Sequence, residues 1–401
     1  MSPAKTAATP AVRLDPAKVH AWRVGRQLLG RERAAAPDDV ARRLVGVQAQ
    51  VTSSAALAIA LRSKTPRGTT PAVEATTRAL LDRKLVRSWA MRGTLHLFAA
   101  DDVPTIAAAL QGKENWRRPA WLRWFGITEP EMERLIDTIG EVLDDGRPRT
   151  RAELGEDIGA RLGPKQGQLL RGSWGSTLKV ASDRHYLVQS AEDDAGVRFV
   201  RASRWIKAWR IEQKESALAR LVERYLAAYG PATLREILRW WGAAQVSVMK
   251  PVIASLGDVL TEVEVAGVRV FARTEDLDAI ERTRPTNGEV HLVGGFDPFI
   301  VGAGLREQLI PPAFLNRVSR TAGWISPVVL VDGIAAGVWD ARKTKKGLGV
   351  TVEPFDNPSS SLRSAIAAAA RRVGEVQGIA ATVSYDRVFE GTRSTVPFND
   401  R

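Results

Sequence analysis

Two stretches far apart in the chain spell the same helix-start signature: Thr150-Arg-Ala-Glu153 and Thr233-Leu-Arg-Glu236. In such a capping box the hydroxyl and the glutamate satisfy backbone N–H groups that a helix leaves without partners at its start. The segments around both boxes follow one order. A helical stretch precedes each ("EPEMERLIDTIGEVLDDG" and "ALARLVERYLAAYG"), and a further helix follows ("GQLLRGSWGSTLKVAS" and "VSVMKPVIASLG"). Each block then closes on two β-forming runs across a turn, "HYLVQS–AEDDAG–VRFVRA" and "TEVEV–AG–VRVFAR". An internal repeat of this kind restricts the chain to small α+β units in tandem.

The first hundred residues fit the same grammar more loosely. "KVHAWRVGRQLL", "DDVARRLVGV" and "TPAVEATTRALLDRK" read as helices, and "LVRSWAMRGTLHLFAA" as two strands around Met91-Arg92-Gly93. Helices followed by a hairpin is the winged-helix order, a helix-turn-helix with a β wing that docks on DNA. After "RTRPTNGE" the chain turns β-rich, with a hairpin turn at Asp332-Gly333 and a second hairpin whose tip carries Arg342, Lys343, Lys345 and Lys346 before Gly347. Those four cations are candidates for phosphate contact. A helix, "SSSLRSAIAAAARRVGEV", and a short last strand are expected to cover this sheet. The fold class is therefore α+β. Residues 1–12 form a disordered tail, 13–127 a first winged helix, 128–215 a second, 216–284 a third, and 285–401 a C-terminal β-rich domain.

Composition narrows the function. Lys plus Arg number 58 against 45 Asp plus Glu, a formal net charge of +13, which points to a polyanionic partner. Cysteine is absent, which excludes disulfides and thiolate metal sites. The four histidines, His20, His96, His185 and His291, form no ligand pair, so no metal or organic cofactor is implied. No apolar run spans a bilayer, and the start reads as a tail rather than a signal peptide, so a cytoplasmic location is expected. As a DNA-binding chain it is expected to be nucleoid-associated, and to be a monomer.

Gln48 and Gln50 fit none of these patterns, because they interrupt the apolar run "RRLVGVQAQVTSSAALAIAL". On a helix they would point to nearly opposite faces, but in an extended segment they share one. Gly46 ends the preceding helix, and Thr52-Ser53-Ser54 supply N-cap residues for the next. The pair thus falls at an extended junction just before a helix start. There two carboxamides can converge on one small polar target, or simply make interdomain hydrogen bonds.

With "GVQAQV", "RSWAMRGTLHLF" and "GGFDPFIVG…GWISPVVLVDG…GVW…VEPF" in this order, the chain resembles the AlkZ-like DNA glycosylases, which include the YcaQ type. The resemblance covers almost the whole chain. It implies three tandem winged helices around a C-terminal β domain, shaped as a concave DNA cradle, with Gln48 and Gln50 as the catalytic pair. The YcaQ branch has Asp at the second position, so Gln50 places this chain with the AlkZ branch, which includes self-resistance enzymes. The implied activity is monofunctional hydrolysis of the N-glycosidic bond of cationic alkylated bases, chiefly N7-alkylguanine, and the unhooking of interstrand crosslinks. Its partner is double-stranded DNA carrying such lesions. The alternative is a non-catalytic winged-helix transcriptional regulator.

Arg92 is placed to contact phosphate and His96 to line the cleft, both as DNA-binding residues. "NWRRPAWLRW" mixes Trp116, Trp121 and Trp124 with arginines, a pattern that grips nucleic acid or packs helices equally well. Trp240 and Trp241 read as core, and Asp297 as a turn cap before Pro298.

Overall fold

The computed structural model describes residues 12–64, 71–112, 114–172, 175–193, 196–242 and 245–388. The expected tail, residues 1–12, lies outside the described residues except for Val12. The chain is mixed α and β, with nineteen α-helices and fourteen strands among the described residues. None of the described helices is long and apolar enough to cross a membrane.

The first block holds β1 (Arg13–Leu14), α1 (Pro16–Arg26), α2 (Pro37–Arg43), β2 (Val47–Gln48), α3 (Thr52–Arg62), α4 (Glu74–Leu81), β3 (Leu85–Trp89) and β4 (Leu95–Ala99). Helices α5 (Val103–Leu110) and α6 (Pro119–Phe125) lead on. The second block runs α7 (Glu129–Val142), β5 (Arg149–Thr150), α8 (Arg151–Leu162), α9 (Pro164–Gly172), α10 (Ser176–Asp183), β6 (Leu187–Asp193) and β7 (Gly196–Arg201). After α11 (Ala202–Trp205) the third follows with α12 (Lys214–Tyr229), α13 (Leu234–Trp241), α14 (Val246–Ser255), β8 (Leu260–Val265) and β9 (Val268–Arg273). The last region comprises α15 (Leu277–Arg282), β10 (Val290–Val293), α16 (Pro298–Val301), α17 (Arg306–Leu309), α18 (Leu315–Val318), β11 (Val328–Val331), β12 (Ile334–Thr344), β13 (Gly347–Pro354), α19 (Ser360–Val376) and β14 (Ala381–Tyr385).

Both expected capping boxes form. Thr150 and Thr233 each accept from the N–H of Glu153 and Glu236, whose carboxylates reach back to the cap backbone. A third box, Thr128 with Glu131, opens α7 and obeys the same Ser/Thr-x-x-Glu rule. The Ala266-Gly267 and Asp332-Gly333 turns have positive φ at both residues (48° and 78°, 52° and 78°). That geometry matches the right-handed twist of the hairpins it joins.

Four expectations need correction. "GQLLRGSWGSTLKVAS" forms two helices rather than one, with Gly175 at φ 80° heading the second. Thr52 is the first helical residue of α3, after Val51, which makes no side-chain cap bond. Residues 13–14 pair with β8, so the start of the first block is built into the sheet of the third. Buried Arg23 of α1 strengthens that tie by donating to the carbonyls of Gly230 (3.2 Å) and Pro231 (2.6 Å). Finally, β14 does not cover the C-terminal sheet but extends it, parallel to β13, while α19 covers one face.

The first two hairpins join into one six-stranded sheet, ordered β2-β4-β3-β6-β7-β5, through the pairing of Arg87 with Gln189. β2 is its edge strand. Helix α3 explains why that edge is held firmly. Every residue from Ser54 to Arg62 is buried, as expected for a helix that is apolar all round. Ala55, Ala58 and Ile59 pack into the core shared by the first and third blocks. Ala56, Leu57, Ala60 and Leu61 pack with Trp339, Val350 and Val352 of the C-terminal sheet and with α19. The segment carrying the two glutamines therefore leads into the helix around which the first, third and last regions assemble.

Candidate active site

The ladder between β2 and β4 places Val47 opposite Leu97 and Gln48 opposite His96, and continues as Ala49 N–H donating to the Leu95 carbonyl at 2.7 Å. Val47 and Ala49 are buried on one face. Alternation then puts Gln48 and Gln50 on the other, as the extended reading expects. Gln48 is 8% exposed, and Gln50 is exposed.

Each carboxamide is held by a donor from the first hairpin. Gln48 Oε1 accepts from Arg92 Nη2 at 2.9 Å, and Gln50 Oε1 accepts from the Leu95 N–H at 3.4 Å. Guanidinium and backbone N–H groups only donate, so chemistry fixes which end of each amide faces them. One lone pair on each oxygen remains for a third party. Leaving a buried amide unpaired costs roughly 1–3 kcal/mol, which Arg92 removes for Gln48.

Arg92 sits at φ 53° in the turn between β3 and β4. Its Nη1 donates to the Trp240 carbonyl at 2.7 Å, and Nη2 also approaches His96 Nε2 at 3.4 Å. Burial pulls the guanidinium down to about 10, so it stays charged at neutral pH. His96 is 1% exposed, and its Nδ1 lies 3.0 Å from the Thr94 carbonyl. A carbonyl only accepts, so Nδ1 carries the proton and Nε2 accepts from Arg92. Burial first, and the Arg92 charge second, lower its pKa to about 3. The structure thus turns Arg92 inward onto Gln48 and Trp240, and buries His96 against Arg92 and the Thr94 carbonyl.

Arg342, Lys343, Lys345 and Lys346 lie elsewhere, on the β12–β13 hairpin. All four are exposed, and among the described residues none makes an ion pair. Thr344 shapes the tip, accepting from Lys346 N–H at 3.2 Å and donating to the Gly347 carbonyl at 3.0 Å. Trp240 and Trp241 are core residues, 4% and 1% exposed. Of the "NWRRPAWLRW" tryptophans, Trp116 is buried and Trp124 is 84% exposed.

Asp297 caps α16 through the Phe299 N–H at 2.9 Å, as expected, but it does more. It forms a fully buried two-pronged pair with Arg62 at the far end of α3 (2.6 and 2.9 Å). The sequence signal was there: a lone arginine closing an otherwise apolar helix needs a buried partner.

Two neutral amides with fixed oxygens can hold and orient a small polar molecule such as water, but they cannot serve as strong bases. They sit on a basic chain, of formal net charge +13, that also carries an exposed cationic hairpin. The chain matches the family described as DNA glycosylase AlkZ-like over residues 41–376, and it belongs to that family. It is 33% identical over 368 residues to an interstrand DNA cross-link repair glycosylase of Streptomyces sahachiroi, covering 90% of this chain and 96% of the relative. The solved structure of the Streptomyces sahachiroi DNA glycosylase AlkZ superposes with a TM-score of 0.83 at 31% identity, over 94% of this chain and 100% of that one. The enzyme class is therefore DNA N-glycosylase, and the regulator alternative gains no support.

Proposed function

We propose that this enzyme hydrolyses the N-glycosidic bond of cationic alkylated bases in duplex DNA, chiefly N7-alkylguanine, with Gln48 and Gln50 holding the attacking water. The observation that carries the reading is the pair itself: two carboxamides on one face of an edge segment, each oxygen fixed by one N–H donor. A water donating its two hydrogens to the two free lone pairs would be oriented for attack. N7 alkylation makes the base a cationic leaving group, so departure needs little acid help. The transition state at C1′ is oxocarbenium-like, as in glycoside hydrolysis. Amide dipoles and a fixed water are the help it needs.

The pair lies at a surface rim, Gln50 being exposed and Gln48 only just buried. That suits a site that does not enclose the lesion, and hence crosslinks and bulky adducts such as those that self-resistance requires. The three helix-and-hairpin blocks would serve as tandem winged helices along the duplex, with Arg342, Lys343, Lys345 and Lys346 on phosphates. The test is a duplex carrying N7-methylguanine, incubated with enzyme and then treated with alkali. Strand scission at the lesion is expected, since no lysine nucleophile is invoked and an abasic site is left. No scission on this duplex, on a bulky N7 adduct or on a crosslink would contradict the proposal.

A further inference from the structure

We propose that Arg92 is the positioning residue of this site: its guanidinium ties the Gln48 carboxamide to the backbone of the third block. This rests on the reading of Gln48 and Gln50 given above. The fork spans two acceptors in different blocks, Nη2 on Gln48 Oε1 at 2.9 Å and Nη1 on the Trp240 carbonyl at 2.7 Å. Gly242 packs against the same turn from the third block. A Cβ there would stand 2.7 Å from Arg92 Cα and 2.8 Å from its Cγ. On the other flank, a Cβ on Gly93 would run into Lys179 Nζ of α10, so the second block also abuts this turn.

The backbone supports the same conclusion. Arg92 occupies the left-handed region at φ 53°, where a residue with a side chain is held at a cost of roughly 1–3 kcal/mol. Glycine or asparagine would sit there more easily. An arginine whose guanidinium reaches three partners and whose backbone abuts a fourth residue has reason to stay. Its charge is no asset to the chemistry, because a nearby cation opposes an oxocarbenium ion. The benefit is geometric. The first and third blocks must be packed together before Gln48 points correctly, and Gln48 cannot swing its oxygen away from the water.

The test is single-turnover excision of N7-methylguanine from duplex DNA, with DNA affinity measured in parallel. The proteins are wild type, Arg92→Ala, Arg92→Lys, Gln48→Ala and the Arg92→Ala/Gln48→Ala double variant. Arg92→Ala should lower the saturating rate about 100-fold, the scale of a misplaced reacting group, and leave affinity unchanged. The double variant should be no slower than the slower single one, because the two residues act as a unit. Arg92→Lys should stay below wild type, since an ammonium keeps the charge but not the fork. An unchanged rate in Arg92→Ala, a loss confined to affinity, losses that multiply in the double variant, or full activity in Arg92→Lys would each overturn the proposal. Were Arg92→Ala not to fold, Arg92→Lys and Gly242→Ala carry the test: both should slow excision with affinity kept, and wild-type rates in both would overturn it. Full activity in Gln48→Ala would bring down the underlying reading and this proposal with it. An inactive Gln48→Ala beside a fully active Arg92→Ala would bring down this proposal alone.

Discussion

The glutamine junction and the basic hairpin tip are both polar features at strand ends, and they are built in opposite ways. At the junction Gln48 is nearly buried, its oxygen is fixed by a guanidinium, and that guanidinium is fixed by a carbonyl from another block. At the tip Arg342, Lys343, Lys345 and Lys346 are exposed and without ion-pair partners among the described residues. One arrangement gives geometry at the cost of freedom. The other supplies charge that adapts to any phosphate path. On the proposed function a glycosylase needs both, and separating them would let the chain bind DNA loosely while holding its water tightly.

Substitutions in the two regions should therefore fail in different ways. The largest effect should come from the anchor of the fixed region. Asp297→Ala leaves Arg62 charged and unpaired in the core, so urea denaturation should show a loss of about 3–5 kcal/mol. Next comes the pair itself. Replacing Gln48 and Gln50 by alanine should slow excision about 10²–10³-fold, the range for removing a preorganised polar contact to the transition state, with little change in melting temperature.

Acid should expose the fixed region too. His96 is neutral in the fold, with its pKa lowered from 6.5 to about 3, and His20 and His185 are each lowered to about 4. Above the ordinary histidine value both folded and unfolded chains are neutral at these rings. As pH falls below 6.5 the unfolded chain takes up protons that the folded chain refuses until about 3 or 4, so stability drops across that window. For His96 alone the loss at pH 5 should be about 2 kcal/mol, read as the part of the urea-midpoint shift between pH 5 and 7.5 that disappears in His96→Gln. A midpoint independent of pH would contradict the buried, neutral His96. The smallest effect on the fold belongs to the tip. Neutralising all four cations should change stability by less than about 0.5 kcal/mol. It should, however, flatten the salt dependence of DNA binding by about 0.9 in log–log slope for each phosphate that the tip no longer neutralises.

The repeat was legible in the sequence because its signals are local. Capping boxes, two-residue glycine turns and β-branched runs act within a few residues, and they placed the elements of the second and third blocks closely. Gln48 and Gln50 could be put on one face for a similar reason: a glycine before them and a helix after them leave only an extended stretch between. What escaped depends on distant partners. Arg92 was read as a phosphate contact, and its bond to the Trp240 carbonyl had no local trace because that carbonyl lies in another block. Arg62 and Asp297 are separated by most of the chain, so their pairing had no local trace beyond a charge in an apolar helix. The pairing of residues 13–14 with β8 was equally invisible, since two residues carry no periodicity.

A single experiment sets the two regions side by side. Single-turnover excision and DNA affinity would be measured for the Gln48→Ala/Gln50→Ala variant and for a variant with Arg342, Lys343, Lys345 and Lys346 all neutralised. We expect a double dissociation: the glutamine variant binds like wild type but hardly cleaves, and the hairpin variant binds weakly but cleaves normally once saturated. A glutamine variant that excises at the wild-type rate when saturated would contradict the water-holding role of the pair.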